Sequence, residues 1–243
     1  MGMPVTVQVV DEAAETDALD RVFEDFGLLD RTFSPFLETS EVSRIDRGEL
    51  SPEGASDLMS QVMKLCRQYE RATAGYFSAW IGGRFDPSGL VKGWSVERAA
   101  ELLVRAGARN FCINAGGDIV VRGEPEPGRS WRIGIRHPRH ATALAAVLNA
   151  MDLAVATSGN YERGDHITDG RTGMPNRELL SMTVVGPSLT LADAYATAGF
   201  AMGSAGVAWV ASRPGYSPYA VTREGRVQYT DPFGALLATA DRH

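Results

Sequence analysis

The succession of two periodicities along the chain constrains its fold more than any other feature. Residues 4–10 (Pro-Val-Thr-Val-Gln-Val-Val) alternate at period two, like a half-buried strand. Leu19, Val22, Phe23, Phe26 and Leu29 then recur at helical spacing and make one apolar face. Phe33 to Glu41 reads as a loop. Ser56 is placed to cap a second helix, which turns Leu58, Met59, Val62, Met63, Leu65, Cys66 and Tyr69 inward. A glycine-rich, irregular stretch over 74–93 precedes a third helix, predicted over 94–106 and stopped by Gly107. Phe111–Ile113 and Ile119–Arg122 read as strands on either side of an Asn-Ala-Gly-Gly-Asp bend, and Trp131–Ile135, Leu153–Ala156 and Ser181–Val185 as further strands. A fourth helix over 190–202, capped by Ser188, and late strands over 218–222 and 226–229 complete the pattern. Strands and helices mix without a strand–helix–strand rhythm. This predicts an α+β fold of mixed, largely antiparallel sheets with packed helices, not a doubly wound parallel sheet.

With 243 residues the chain is long enough to bury a large core without disulfide or metal staples. No linker divides it clearly, and Gly123–Gly128 is the softest point. One domain over 1–243 is expected, built as a single body or as two interlocked lobes. No run approaches 18 apolar residues, so no membrane span is expected. The first residues lack the basic and apolar regions of a secretory signal, which points to the cytoplasm. The net charge is −6, and of the 24 basic residues only Lys64 and Lys92 are lysines. The arginines are scattered, so nucleic acid is not an expected partner. Cys66 and Cys112 lie in apolar surroundings and read as free thiols.

Four segments carry candidate chemistry. In Arg84-Phe-Asp-Pro-Ser-Gly-Leu-Val-Lys-Gly-Trp94, small residues feed a helix start, an arrangement that suits phosphate; an Asp-Pro turn followed by a solvated Lys92 explains the same letters. The bend Asn114-Ala-Gly-Gly-Asp118 fits either close approach to a ligand or a plain hairpin turn. Ala156-Thr-Ser-Gly159 is followed by His166, Asp169, Arg171 and Gly173, where His166 is either a general base or a surface residue. In Leu191-Ala-Asp-Ala-Tyr-Ala-Thr-Ala198, Asp193 and Thr197 share one helical face, and the alanines are expected to clear space around them. A carboxylate and a hydroxyl on a bare face suit a hard cation; a surface Asp beside an ordinary helical Thr is the plain alternative.

Taken in order, these segments and Phe33-Ser…Ser40-Glu-Val-Ser-Arg44 resemble the ApbE family, the FAD:protein FMN transferases. The resemblance runs from about Met1 to Val221. It implies an α+β, T-fold-related flavin-binding architecture and a magnesium-dependent reaction. The FMN half of FAD passes to a Thr or Ser of an acceptor protein and AMP leaves. Hydrolysis of FAD to FMN and AMP, or FAD carriage without turnover, are the alternatives. By motif, the Gly89 carbonyl, Asp193 and Thr197 would hold Mg²⁺, with Asp193 and His166 catalytic. FAD would meet Met1, Phe36, Tyr76, Phe77, Ser78, Asp86, Lys92, Asn114, Gly116, Gly117, Asp118, Thr157, Ser158, Gly159, His166 and Ile167. Lys92 would act as a point charge whose removal leaves the fold intact.

The chain departs from the family pattern at several places; one, Gly89 in place of a common alanine, is harmless if only its carbonyl binds. Asp46 replaces an Asn, the stretch between Phe77 and Asp86 is short, and Gly170 stands where a proline is usual. A glycine at 170 predicts a looser loop.

Overall fold

Strands buried on both faces, with successive side chains alternating between them, build the centre of the molecule. The computed structural model describes residues 3–11, 17–160 and 167–238. Strand β1 (Val5–Val9) is followed by helices α1 (Ala18–Phe33), α2 (Glu41–Asp46) and α3 (Asp57–Ala72). A tight hairpin, β2 (Trp80–Ile81) and β3 (Arg84–Phe85), leads into α4 (Ser88–Arg105). Strands β4 (Phe111–Ala115), β5 (Asp118–Arg122), β6 (Trp131–His137), β7 (His140–Ala150), β8 (Leu153–Gly159) and β9 (Leu179–Gly186) come next. Helices α5 (Leu189–Ala201) and α6 (Ala205–Ala211), strands β10 (Ser217–Thr222) and β11 (Val227–Tyr229), and a short α7 (Asp231–Gly234) close the chain.

Seven strands form one sheet in the order β1-β4-β5-β8-β9-β10-β11, every pair antiparallel. The alternation sorts its side chains between two cores. Val120, Ala154, Ala156, Met182, Val184 and Ala220 face α4 and α5. Their neighbours Ile119, Val121, Val155, Val185, Tyr219 and Val221 face the β6–β7 hairpin, with Trp131, Ile133, Ile135 and Leu148 packed on them. A third core joins α1, α3 and α4 around Leu29, Phe33, Met59, Val62, Cys66 and Leu90. The largely antiparallel α+β architecture is the expected one.

The serine caps are where the sequence predicts them. Ser56 Oγ accepts from the Met59 N–H at 3.2 Å, and Ser188 Oγ from the Leu191 N–H at 3.4 Å. Cys66 and Cys112 are free thiols, which burial pushes up to about 12 and about 11.

Other elements differ from expectation. Leu19 and Phe23 of the predicted α1 face point to solvent, while Val22, Phe26 and Leu29 are buried as expected and Phe33 is buried with them. Residues 41–46 form a helix, capped by the Ser40 side chain on the Ser43 N–H, at the end of the loop read over 33–41, where the sequence predicts no element. The strand β7 is rich in Ala and Leu, which favour helix, but pairing with β6 overrides that preference. Helix α4 starts six residues before the predicted Trp94. Asp86 Oδ1 accepts from the Ser88 N–H at 2.9 Å and starts the helix there, and Gly89 and Gly93, which read as loop residues, lie inside it. Lys92 therefore sits in the second turn of α4 rather than at its beginning.

Candidate active site

The α4–α5 crossing positions the candidate site. Helix α5 is apolar nearly all round and lies between the sheet and α4, with Ala192, Ala194, Ala196 and Ala198 all buried. The alanines thus let neighbouring elements approach; they do not clear an open face around Asp193, as the sequence reading expects. Gly93 completes the approach, since a Cβ there would lie 2.8 Å from Asp193 Cβ and 2.8 Å from the Leu189 carbonyl oxygen. Its N–H donates to Asp193 Oδ2 at 3.0 Å. In a regular helix that N–H serves the carbonyl four residues back, so the Gly89 carbonyl retains lone-pair capacity. A Cβ at Gly89 would lie 3.7 Å from Thr197 Oγ1, so Gly89 and Thr197 are neighbours. Thr197 Oγ1 in turn lies 3.2 Å from Ser158 Oγ on β8.

Gly89, Asp193 and Thr197 therefore converge, offering a carbonyl, a carboxylate and a hydroxyl oxygen. Asp193 is buried, and burial first and the nearby Asp118 second raise its pKa, against the lowering pull of Lys92 and the Gly93 N–H. A divalent cation would relieve that desolvated carboxylate. Three hard oxygen donors with room for ligand or water oxygens fit Mg²⁺. No cluster of three or more His, Cys, Asp or Glu suited to a metal occurs among the described residues. Among the described residues the three donors include one carboxylate, so this is not a carboxylate cage.

Lys92 lies one turn beyond Gly89. Its Nζ pairs with Asp118 Oδ2 at 2.9 Å; the Lys92 side chain is 25% exposed and that of Asp118 1%. Asp118 Oδ1 also accepts from the Thr157 N–H at 3.3 Å. Asp118 thus stands behind Lys92, off the wall of the cleft that the other residues line. The hairpin preceding it turns on Gly116 and Gly117, both in the left-handed region that a two-residue turn of this hand requires, and Asn114 Oδ1 accepts from the Gly117 N–H at 3.0 Å.

One cleft of about 1050 Å³ opens beside Gly89, Lys92, Asp193 and Thr197. Of the residues singled out in the sequence, Phe36, Tyr76, Phe77, Ser78, Asp86, Gly89, Lys92, Asn114, Gly116, Gly117, Thr157, Ser158, Gly159, Ile167, Asp193 and Thr197 line it. Met1 and His166 lie outside the described residues.

The sequence reading missed Ile133–Arg136 of β6 and the pair Asp46 and Arg84, all on the cleft wall. Arg136 is one of many scattered arginines and carries no distinguishing signal. Asp46 and Arg84 did carry one, because two departures from the family pattern meet in them. The short stretch closes as a hairpin on Gly82 and Gly83, and Arg84 at its end donates to Asp46 Oδ2 at 3.0 Å.

Gly170 does not loosen its loop. A Cβ there would lie 2.5 Å from the Gly75 carbonyl oxygen and 2.8 Å from Ser78 Cβ. Its N–H donates to the Tyr76 carbonyl at 3.1 Å, a bond no proline can make. The Asp169 N–H donates to the Met174 carbonyl at 2.9 Å, and the Gly173 N–H to the Asp169 carbonyl at 2.7 Å.

The chain matches the family model described as "ApbE family" over residues 1–85 and 79–219. It belongs to the ApbE family. A relative from Vibrio cholerae serotype O1, named FAD:protein FMN transferase, is 30% identical over 218 residues, covering 82% of this chain and 61% of the relative. One of the same name from Haemophilus influenzae is 31% identical over 149 residues, covering 57% and 43%. The chain thus spans less than two thirds of the length of either. Among solved structures, the flavin transferase ApbE from Vibrio cholerae superposes with a TM-score of 0.81 at 22% identity, covering 98% of this chain and 96% of that one. The Thermotoga maritima ApbE protein superposes with a TM-score of 0.85 at 23% identity, covering 98% and 97%. The architecture described above is that of these ApbE structures. No helix among the described residues is long and apolar enough to cross a membrane.

The Lys92–Asp118 pair changes what Lys92→Ala should do. Removing Lys92 takes the paired cation from a buried carboxylate, which typically costs about 3–5 kcal/mol. Lys92→Ala is therefore expected to lower the melting temperature markedly, whereas Lys92→Met with Asp118→Asn should recover most of the loss. FAD affinity should stay low in both. Unchanged stability in the single variant would show that the ion pair does not form.

Proposed function

We propose that this chain is a Mg²⁺-dependent FAD:protein FMN transferase, moving the FMN half of FAD onto a Thr or Ser hydroxyl of an acceptor protein with release of AMP. The observation that carries the reading is the convergence of Gly89, Asp193 and Thr197 at the floor of a cleft whose wall holds Lys92. The names of the family relatives agree with it.

Mg²⁺ at the three oxygens would supply Lewis-acid stabilisation to a pyrophosphate. The protein's own contribution is positioning. Lys92 pairs with Asp118, which fixes the ammonium at the cleft wall, where its positive charge would meet phosphate oxygens. Phe36, 73% exposed at the cleft, and Tyr76 offer flat apolar surface to a ring system. His166 is the proposed base for the acceptor hydroxyl, on the strength of its place in the sequence motif.

The test is AMP release from FAD and Mg²⁺, with and without a threonine-containing acceptor peptide. Release that depends on the acceptor, with flavin retained on the peptide, is the expected result. AMP released equally without acceptor would make the chain a hydrolase. FAD binding with no AMP would make it a carrier.

A further inference from the structure

Arg171 belongs to no part of the site assembled above, yet it is held more tightly than a surface arginine ordinarily is. Its Nε donates to Asp169 Oδ1 at 3.0 Å and its Nη2 to Asp169 Oδ2 at 2.8 Å, a two-pronged pair. The Arg171 backbone N–H donates to the same carboxylate at 2.9 Å. Held this way, the guanidinium carbon stands 3.6 Å from the centroid of the Tyr76 ring. The backbone reinforces the arrangement, since the Gly170 N–H donates to the Tyr76 carbonyl. Gly75, at φ +81°, also lets the Arg171 stem pass, because a Cβ there would sit 3.0 Å from Arg171 Cγ. The pairing holds the Asp169 carboxyl below its ordinary value, so it stays ionised at neutral pH.

Tyr76 lines the cleft and Arg171 does not. One face of the Tyr76 ring is thus occupied by Arg171, at the border of the cleft.

We infer that Arg171 is a positioning residue that acts through Tyr76, holding its ring as a platform on which a flat heteroaromatic ring of the ligand stacks. The inference rests on the nucleotide-binding reading above and adds to it a residue that never touches the ligand. FAD has two such rings, isoalloxazine and adenine, and the shared chemistry is stacking on an aromatic face. Arginine is suited to the task because its planar fork pairs with a carboxylate and stacks on a ring at once, which lysine cannot do.

The two rings can be told apart with half-ligands. FMN binding, followed by flavin fluorescence, and AMP binding, followed by calorimetry, would be measured on the full chain as wild type, Arg171→Ala, Tyr76→Leu and the double variant. Arg171→Ala should weaken one half-ligand by about fivefold or more and leave the other within about twofold, as loss of one stacked contact would. The half-ligand that loses affinity identifies the ring on the platform. In the Tyr76→Leu background, Arg171→Ala should cause no further loss, because an effect transmitted through the ring disappears with the ring. If Arg171→Ala does not fold, Arg171→Lys, which keeps the charge but not the fork, should show the same selective loss. Both half-ligands unaffected, both weakened alike, or a loss that recurs undiminished without the Tyr76 ring would each overturn the inference. Wild-type protein that binds FMN and AMP would leave the nucleotide-binding reading standing in those cases. Wild type that binds neither would remove both.

Discussion

Asp193→Asn is expected to cut Mg²⁺-dependent AMP release by about 10²–10³-fold, the loss of several kcal/mol of charge stabilisation. It should do so without destabilising the fold. The asparagine oxygen still accepts from the Gly93 N–H, and the substitution removes a carboxylate that burial and Asp118 disfavour in its charged form. The sign follows from linkage. An acid whose pKa is raised on folding binds its proton more tightly in the native state. Its contribution is therefore present at low pH and is lost as pH rises above the unfolded value. At neutral pH, in the absence of metal, Asp193 is a cost that Asn does not carry. The metal-free variant should melt at the same temperature as the parent or higher. Mg²⁺ should then raise the melting temperature of the parent and not of the variant, since a ligand stabilises only the state that binds it. Mg²⁺-stimulated AMP release surviving in Asp193→Asn would remove this carboxylate from the metal site.

Gly93→Val should damage fold and activity together. A Cβ at position 93 meets Asp193 Cβ and the Leu189 backbone carbonyl at 2.8 Å each, and neither is the free end of a flexible side chain. Overpacking of this kind costs about 1–3 kcal/mol. For a chain of this length that is a melting temperature lower by roughly 2–12 °C. The helix-propensity gain of Val over Gly is only a few tenths of a kcal/mol, about 0.3, and does not offset it. Asp193 must also shift to make room, so turnover should fall by about 10²-fold, the scale of a 1 Å misplacement. Gly89→Ala is the matched control. A Cβ there meets nothing closer than 3.4 Å, and the carbonyl is untouched. It should be neutral or slightly stabilising, with activity retained. Gly93→Val melting and turning over like the parent would show that the helices can part without consequence.

The residues of the candidate site were mostly legible in the sequence, but the way they are held was not. Asp193 and Thr197, four apart, could be placed on one helical face because helical period is a local property. Gly89 could not be placed in a helix with Gly93, because two glycines in five residues read as loop by propensity. They are tolerated because α5 lies against that turn of α4. Lys92 looked like a solvated point charge, since nothing near it in sequence pairs with it. Its partner, Asp118, is 26 residues away and meets it only when β5 packs beside α4.

Local chemistry explains what the sequence determined by itself. Short apolar runs located the central strands, Ser56 and Ser188 started two helices, and the paired glycines after Asn114 turned a hairpin. Each is an interaction within a few residues, so the letters contain it. Tertiary structure alone decided the start of α4, the Ala-rich strand β7, the Asp46–Arg84 pair, and the close-packed Gly170 behind Tyr76. Those features depend on which distant surfaces meet and how closely. Packing and pairing across tens of residues set that distance, and they override the weaker local preference wherever the two disagree.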